Sequence, residues 1–244
     1  MKIRQYKSPN FDPRPRLSSS IKFIIIHYTG MQSTRVSLKR LISQKTKVSS
    51  HYLINEKGEV FKLVDENSVA WHAGKSKWKN FSNLNNRSIG IELSNKGHLI
   101  KYENYKKKQL ASLVILLKLL VKKFKVPHEN ILGHSDIAPL RKKDPGEKFP
   151  WISVLSKVYP RYNFKSNKTL KIKKFKSVDD SRKHFFNNLK KIGYRYFSLK
   201  KKSSKDKKVV IAFQRRFRPR KIDGVIDQDC IKISDQVLRM LKKA

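Results

Sequence analysis

Two spacings of apolar residues, alternate and helical, divide the first part of the chain into predicted strands and helices. Residues 23–27 form a short, nearly continuous run of branched and aromatic side chains, which predicts a buried strand. Residues 51–55 and 60–64 flank a polar turn and predict a β-hairpin. In residues 87–94 every second side chain is apolar, so a strand here directs Glu92 away from the apolar face. That carboxylate then faces a solvated cleft or a partner, unless the strand is an edge strand whose polar side lies in water.

Helical spacing occurs in two segments of this part of the chain. Residues 33–43 show it loosely, whereas the apolar residues of 105–124 form one continuous stripe that predicts a helix packed on the core. Residues 75–86 are polar and predict a loop at the rim of a site. Three prolines within residues 8–20 predict an extended arm over the domain surface.

A change in composition near residue 162 predicts a second domain. The predicted domains are residues 1–162 and 177–244, joined by a flexible linker of Lys, Ser and Asn residues at 163–176. A capping serine followed by two acidic residues begins the first helix of the second domain, and a glycine ends it. The second domain is predicted to contain three helices, at residues 177–193, 206–217 and 229–241.

The charge balance is extreme, since 58 Lys and Arg residues against 18 Asp and Glu give a net charge of +40. The density of positive charge is highest after residue 164, where there are 26 basic and 7 acidic residues. Such a balance indicates attraction to polyanions, although a solvated lysine-rich surface is the alternative. No arginine-rich stripe interleaved with aromatic residues marks a base-reading surface, so we expect no nucleic-acid partner.

Cysteine usage and apolar run lengths limit the class of protein. Cys230 is the only cysteine, so no intrachain disulfide can form, and we expect a small buried residue in the last helix. The first residues carry charge without an apolar segment, so they do not predict a secretory signal. The longest apolar run, residues 110–121, contains Lys118 and is too short to span a bilayer. We therefore expect no transmembrane segment.

Residues 133–151 are the stretch that most suggests chemistry. His134 and Asp144 lie ten positions apart on a segment too rich in Pro and Gly to predict a helix, so a turn can bring both to one metal ion. A metal site needs at least one more ligand, and His27, at the end of the first predicted strand, is the best candidate. On spacing alone, a solvated loop is the alternative.

Five motifs across residues 8–160 are typical of one enzyme family. They are Ile25-Ile26-His27-Tyr28-Thr29, Val48-Ser49-Ser50-His51-Tyr52-Leu53-Ile54, Ala70-Trp71-His72-Ala73-Gly74, Ser88-Ile89-Gly90-Ile91-Glu92-Leu93 and the segment 133–151. With them the chain resembles the zinc-dependent N-acetylmuramoyl-L-alanine amidases of type 2, which include the AmiD and AmpD enzymes. That family shares its fold with peptidoglycan-recognition proteins and phage amidase lysins. The resemblance implies an α/β fold with a mixed central β-sheet flanked by helices.

The resemblance also implies a catalytic site. It assigns one Zn²⁺ ion to His27, His134 and Asp144 and leaves the fourth coordination position for water. It assigns Glu92 as the general base and Lys142 as the cation that stabilises the oxyanion.

Further residues near this site divide into two groups. Arg141 and Lys143 do not fall on the family's cationic position, so we interpret them as solvated loop charges. By resemblance, the substrate pocket is lined by His51, Tyr52, Trp71 and His72. Packing within the sheet explains His51 and Tyr52 equally well, and His72 is an auxiliary residue rather than a ligand.

The C-terminal part carries a second, less specific resemblance. Residues 213–217 and 223–227 are similar to segments of the small three-helix peptidoglycan-binding domain that accompanies many wall hydrolases. A plain helical domain is the alternative. A wall-binding domain favours a cell-envelope location, whereas the missing signal favours the cytoplasm, and we expect the envelope.

Together these resemblances imply one reaction and one substrate class. The reaction is hydrolysis of the amide bond between N-acetylmuramic acid, or its 1,6-anhydro form, and L-Ala of the stem peptide. The expected substrate is peptidoglycan or a muropeptide, in cell-wall turnover or recycling. A non-catalytic peptidoglycan-recognition protein on the same fold is the alternative.

Overall fold

The computed structural model describes residues 2–13, 15–162, 164 and 174–242. Ten strands occur in these ranges: β1 (Ile3–Gln5), β2 (Phe11–Asp12), β3 (Phe23–Tyr28), β4 (Tyr52–Ile54), β5 (Val60–Lys62), β6 (Val69–Ala70), β7 (Lys77–Trp78), β8 (Phe81–Ser82), β9 (Ser88–Leu93) and β10 (Ile131–Gly133). The same ranges contain eight α-helices: α1 (Thr34–Ile42), α2 (Gly97–Ile100), α3 (Lys107–Phe124), α4 (His134–Ile137), α5 (Trp151–Val158), α6 (Val178–Ile192), α7 (Ser204–Phe217) and α8 (Gln228–Lys242).

Six of the strands form a central mixed sheet in the order β1-β5-β4-β9-β3-β10. Only the β4–β5 hairpin is antiparallel, and the other four neighbouring pairs are parallel. The predicted mixed α/β sheet is therefore confirmed, as is the hairpin. Because β9 lies between β4 and β3, it is a central strand and not an edge strand.

The pairing register brings chemical side chains to one edge of the sheet. His27 lies opposite Glu92 in the β3–β9 pair, and Gly133 lies opposite Ile26 in the β10–β3 pair. His134 follows Gly133 directly. The carboxyl ends of three adjacent parallel strands thus meet where ligand sites of open α/β sheets commonly form.

The predicted core helix is confirmed as α3, which begins at Lys107 rather than at residue 105. Its leucine stripe is buried, and Leu113 and Leu117 have no exposed surface. The buried Gln109 side chain donates hydrogen bonds to two backbone carbonyl groups, those of Ile54 and Ser94. α3 packs against β4 on one side and α5 on another, so it covers the sheet as the apolar stripe predicts.

Two predicted loops contain regular structure. Residues 75–86, predicted to be a rim loop, form the β7–β8 hairpin and the start of a 3₁₀ helix, with Trp78 and Leu84 buried. Because the segment is mostly polar, its sequence did not indicate that these two apolar residues are buried. The segment after β10, predicted to be free of helix, begins with the single turn α4. Strand β1 and helix α5 were not predicted.

The three predicted C-terminal helices are confirmed as α6, α7 and α8. Ser177 caps α6 by accepting a hydrogen bond from the backbone N–H of Asp180 at 3.0 Å. Cys230 is fully buried in α8, as expected. Most of the predicted linker, at positions 163 and 165–173, lies outside the described residues.

The C-terminal helices pack directly on the part of the chain that contains the sheet. The Tyr194 ring stacks edge-on against Trp78 with centroids 4.8 Å apart, and the backbone N–H of Lys79 donates to the Gly193 carbonyl at 2.8 Å. One buried hydrophobic cluster continues from the sheet into these helices. Within the described ranges, no helix combines the length and the apolar character needed to cross a bilayer.

Gly193 is a position at which this packing leaves no room for a side chain. It ends α6 at φ +141°, and a Cβ atom there would collide with the Trp78 ring. We predict that Gly193→Ala lowers the free energy of unfolding by about 1–3 kcal/mol through overpacking, measured by urea denaturation. Lys191→Ala, exposed on the same helix, is the control and should change it by less than about 0.5 kcal/mol. Equal effects of the two substitutions would contradict the docking.

Candidate metal centre and active site

A cavity of about 560 Å³ opens at the carboxyl ends of β3, β9 and β10. Of the side chains predicted to form the site, it is lined by His27, Trp71, His72, Glu92, His134, Lys142 and Asp144. Arg141 and Lys143 also reach this cavity.

Three buried side chains converge at the base of the cavity. Nδ1 of His27 lies 2.9 Å from Nδ1 of His134, and Oδ2 of Asp144 lies 3.0 Å from each of these nitrogens. All three residues are buried. In the described ranges they form a group of ligand atoms that could hold one metal ion. β3 supplies the first ligand, α4 the second, and the turn after α4 the third.

This donor set fits a divalent metal ion. Imidazole nitrogen and carboxylate oxygen are both suitable donors. Bonds of about 2.0–2.1 Å in a tetrahedral site place ligand atoms roughly 3.3 Å apart, so small side-chain movements open the observed triangle around an ion. Three protein ligands would leave one position of a four-coordinate ion for water or substrate, and all three residues line the cavity.

The ring nitrogen of His27 that points away from the centre has a buried partner. Nε2 of His27 lies 3.0 Å from Nδ1 of His72, and Nε2 of His72 lies 3.3 Å from Oγ of Ser88. The Ser88 hydroxyl donates to the Leu84 carbonyl at 2.6 Å. A metal ion bound at Nδ1 of His27 requires that nitrogen to be free of a proton, in which case Nε2 would carry the proton and donate to His72. The chain of hydrogen bonds therefore fixes the tautomers of both histidines.

His134 is oriented in the same way by a backbone group. Its Nε2 lies 3.1 Å from the carbonyl oxygen of Ala73, to which it donates, so Nδ1 is left free for a metal. The Arg141 guanidinium donates to the same carbonyl and, at 3.0 Å, to that of Lys75. Arg141 is exposed, in agreement with its interpretation as a solvated loop charge, and it also ties two loops together.

The protonation states of His27 and Asp144 match those of metal ligands. Burial, with the nearby His134, lowers the pKa of His27 to about 4, so its imidazole is neutral at pH 7. Burial alone would raise the pKa of Asp144, but the charges and hydrogen bonds of His134 and His27 hold it well below its ordinary value. His27 therefore presents a neutral nitrogen and Asp144 an anionic oxygen.

Glu92 occupies a different electrostatic environment in the same cavity. Burial, then the charge of Asp144, raises its pKa to about 8, and the charge of Lys142 opposes this rise. Among described residues its Oε2 is one of few buried side-chain atoms without a hydrogen-bond partner. A carboxyl group with an unpartnered oxygen and a pKa near neutrality is suited to proton transfer.

Two of the four predicted substrate-lining residues lie at the cavity, and two lie elsewhere. Trp71 and His72 line the cavity, whereas His51 and Tyr52 do not. Nδ1 of His51 accepts the backbone N–H of Gly90 at 3.0 Å, and the Tyr52 hydroxyl donates to the Glu66 carboxylate. Both side chains are buried, and packing within the sheet, the alternative that the sequence left open, describes their contacts.

A polar cluster at the cavity rim was missed by sequence reasoning. The Tyr28 hydroxyl lies 2.8 Å from Nδ1 of His98, and Nε2 of His98 lies 3.1 Å from the Glu147 carboxylate. Tyr28 and His98 both line the cavity. These residues are far apart in sequence, and only the adjacency of Tyr28 to His27 could have drawn attention to one of them.

Comparison with known proteins identifies the family that uses this arrangement. Residues 17–147 match the Amidase_2 family, described as N-acetylmuramoyl-L-alanine amidase. The chain belongs to this family. The matched region includes the three converging ligands and Glu92, and it ends before the C-terminal helices.

The sequence similarity of this chain to individual amidases extends over different lengths. The chain is 41% identical over 143 residues to the N-acetylmuramoyl-L-alanine amidase AmiD of Escherichia coli, covering 54% of this chain and 51% of AmiD. It is 32% identical over 173 residues to the 1,6-anhydro-N-acetylmuramyl-L-alanine amidase AmpD of Haemophilus influenzae, covering 64% of this chain and 91% of AmpD. The chain thus spans about half the length of AmiD in sequence.

The similarity in structure extends further than the similarity in sequence. The solved complex of Escherichia coli AmiD with anhydro-N-acetylmuramic acid-L-Ala-D-gamma-Glu-L-Lys superposes with a TM-score of 0.76 at 30% identity. The superposition covers 93% of this chain and 91% of that one. It therefore extends into the C-terminal helices.

The His72 side chain gives the first prediction for the centre. His72→Phe removes the acceptor for Nε2–H of His27, so we predict that the affinity for a divalent metal ion falls by about 10- to 100-fold. His72→Asn, whose Oδ1 can take the place of Nδ1, is the matched control and should retain most of the affinity. Competition with a chromophoric chelator measures both variants. Equal affinity of the Phe variant and the parent would contradict the role of His72.

His51 gives a prediction for acid stability. Burial, with the charge of Arg16, lowers its pKa from 6.5 to about 3, so between these pH values the unfolded chain binds the proton and the folded chain does not. Its contribution to stability is therefore complete above pH 6.5 and is lost as pH falls toward 3. We predict that His51→Asn flattens the fall in unfolding free energy by up to about 1.4 kcal/mol per pH unit. Parallel pH profiles of the variant and the parent would contradict this.

Proposed function

We propose that this protein is a zinc-dependent N-acetylmuramoyl-L-alanine amidase. It hydrolyses the amide bond between N-acetylmuramic acid, in its ordinary or 1,6-anhydro form, and L-Ala of the stem peptide. The observation that carries the proposal is the convergence of His27, His134 and Asp144 beside the unpartnered Glu92 carboxyl in one open cavity. The amidase activities for which AmiD and AmpD are named support the same reaction.

Zinc is the metal that this donor set favours. Two histidines and one carboxylate with an open fourth position are typical of catalytic zinc sites. When bound, zinc supplies Lewis acidity and lowers the pKa of a bound water to about 7. The chain's own residues hold the ligands in the required tautomers and leave one side of the centre open to substrate.

Glu92 is the general base and then the general acid of this proposal. Its carboxylate takes a proton from the attacking water and returns it to the nitrogen of the departing L-Ala. The raised pKa reflects burial and the Asp144 charge, and it suits a group that must both accept and release a proton near pH 7. A cation held by the three ligands would lower this pKa and keep Glu92 ionised before attack.

Lys142 neutralises negative charge on the carbonyl oxygen as the amide is attacked. It lines the cavity, and its charge already acts on both Glu92 and His27. An ammonium group fixed beside the reacting carbonyl stabilises the transition state more than the substrate. Trp71, at the wall of the same cavity, provides an aromatic surface for a sugar or for the stem peptide.

The C-terminal helices bind peptidoglycan in this proposal and hold the catalytic domain near its substrate. Their excess of basic residues supports attraction to an acidic polymer. The same argument favours action at the cell envelope, because a wall-binding surface has little use on soluble fragments. The substrate is accordingly peptidoglycan or a muropeptide released from it.

The reaction itself is tested by mass spectrometry of purified muropeptides incubated with the protein, with and without a zinc chelator. We predict release of intact stem peptides from ordinary or anhydro muropeptides, and loss of that release after chelation. Readdition of Zn²⁺ should restore it. Muropeptides that remain intact in the untreated sample while binding to the protein would identify a non-catalytic recognition protein instead.

Glu92→Gln separates chemistry from metal binding. The amide has nearly the same shape but cannot accept a proton, so we predict that kcat falls by about 10²- to 10⁴-fold. Zinc content should stay at the level of the parent, because Glu92 is not a ligand. Turnover close to that of the parent would remove Glu92 as the base.

A further inference from the structure

Asp136, two positions after the ligand His134, is a buried anion with partners in two parts of the chain. Its side chain is 1% exposed. Oδ2 accepts the backbone N–H of Gly133 at 2.8 Å, and Oδ1 accepts the Tyr194 hydroxyl at 2.6 Å. Arg216 completes the set, since its Nη1 donates to Oδ2 at 2.5 Å. Two of these three partners belong to the C-terminal helical region.

Arg216 is held in place by more than its charge. Its side chain is 7% exposed, and Nη2 donates to the Ile131 carbonyl at 2.9 Å. The guanidinium carbon lies 4.1 Å from the centre of the Trp151 ring, a cation–π contact. One α7 side chain therefore contacts the beginning of β10, the turn α4 and the beginning of α5.

These contacts reach the metal ligands through a very short segment. The backbone N–H of Ser135 donates to the carbonyl of Asp144 at 2.8 Å, so the two ligand-bearing segments are tied at the backbone. A Cβ atom on Gly133 would lie 2.7 Å from Pro145, the residue after Asp144. α4 is a single helical turn, so a change at Asp136 moves His134 and, through Ser135, Asp144.

We propose that Arg216 and Tyr194 are positioning residues of the metal centre and act through Asp136. The inference rests on the metal site of the proposed function and adds to it a second role for the C-terminal helices. Besides any contact with peptidoglycan, these helices fix the backbone that carries His134 and Asp144. Without Arg216 the Asp136 carboxylate loses its charge partner in the interior, and α4 must shift to bring that carboxylate toward water.

The chain offers a closely matched control. Arg182 is 8% exposed, pairs with Asp206 at 2.5 Å and lies over the Phe186 ring at 5.0 Å. It also donates to the Ser198 carbonyl at 2.8 Å. This ion pair joins α6 to α7 and contacts no part of the metal centre. We expect its removal to destabilise the helices without moving α4.

The experiment compares Arg216→Met with Arg182→Met in the full chain. Zn²⁺ affinity is measured by competition with a chromophoric chelator, and stability of the metal-free protein by urea unfolding. We expect both variants to be less stable, but only Arg216→Met to bind Zn²⁺ about tenfold or more weakly. Its kcat at limiting zinc should fall while KM for the muropeptide stays within about twofold, and excess zinc should restore part of the turnover.

Tyr194→Phe keeps the inference testable if Arg216→Met does not fold. It removes one hydroxyl and no charge, and we expect about threefold weaker Zn²⁺ binding with a folded protein. Arg216→Lys should retain more affinity than Arg216→Met. Folded variants that bind Zn²⁺ as tightly as the parent would overturn the proposal and leave Arg216 as an ordinary domain contact. A parent that binds Zn²⁺ without cleaving muropeptides would overturn the proposed function alone.

Discussion

The parallel pairing of β3 with β9 and with β10 is the constraint on which the site depends. Its register places His27 opposite Glu92 and brings His134 beside the end of β3. All three strands bury apolar side chains, and a slip of one residue in their pairing would turn every side chain to the other face of the sheet. Burial therefore fixes the register, and the register fixes the positions of these residues. The residues at the base of the cavity are therefore held in place by the packed sheet. Asp144 is the exception, because a turn supplies this ligand.

The sequence predicts those features of the fold that depend on a short-range pattern of apolar residues. The run before His27, the alternation around Glu92 and the stripe of α3 each follow from one periodicity, and the structure contains all three. Spacing alone did not select the ligand set, since His134 and Asp144 on an irregular segment fit a solvated loop equally well. The family motifs supplied that choice, and the atoms meet as they imply.

What the sequence could not predict depends on contacts between distant segments. His51 and His72 both occur in family motifs, yet one packs inside the sheet and the other orients a ligand. The polar segment 75–86 hides Trp78, whose burial depends on Tyr194 more than a hundred residues later. The composition of residues 163–176 predicts a flexible tether to the C-terminal helices, but Arg216 in these helices donates to the Asp136 carboxylate, two positions after His134. No local pattern carries that information.

The central claim is that His27, His134 and Asp144 bind a single zinc ion and leave one coordination position free. Anomalous diffraction at the zinc absorption edge, from crystals grown with Zn²⁺, tests it most directly. The account predicts one strong peak about 2.0–2.1 Å from Nδ1 of both histidines and at a similar distance from an Asp144 oxygen, with the open side toward Glu92. A zinc peak elsewhere, or none between these residues in crystals that hold zinc at other positions, would contradict it.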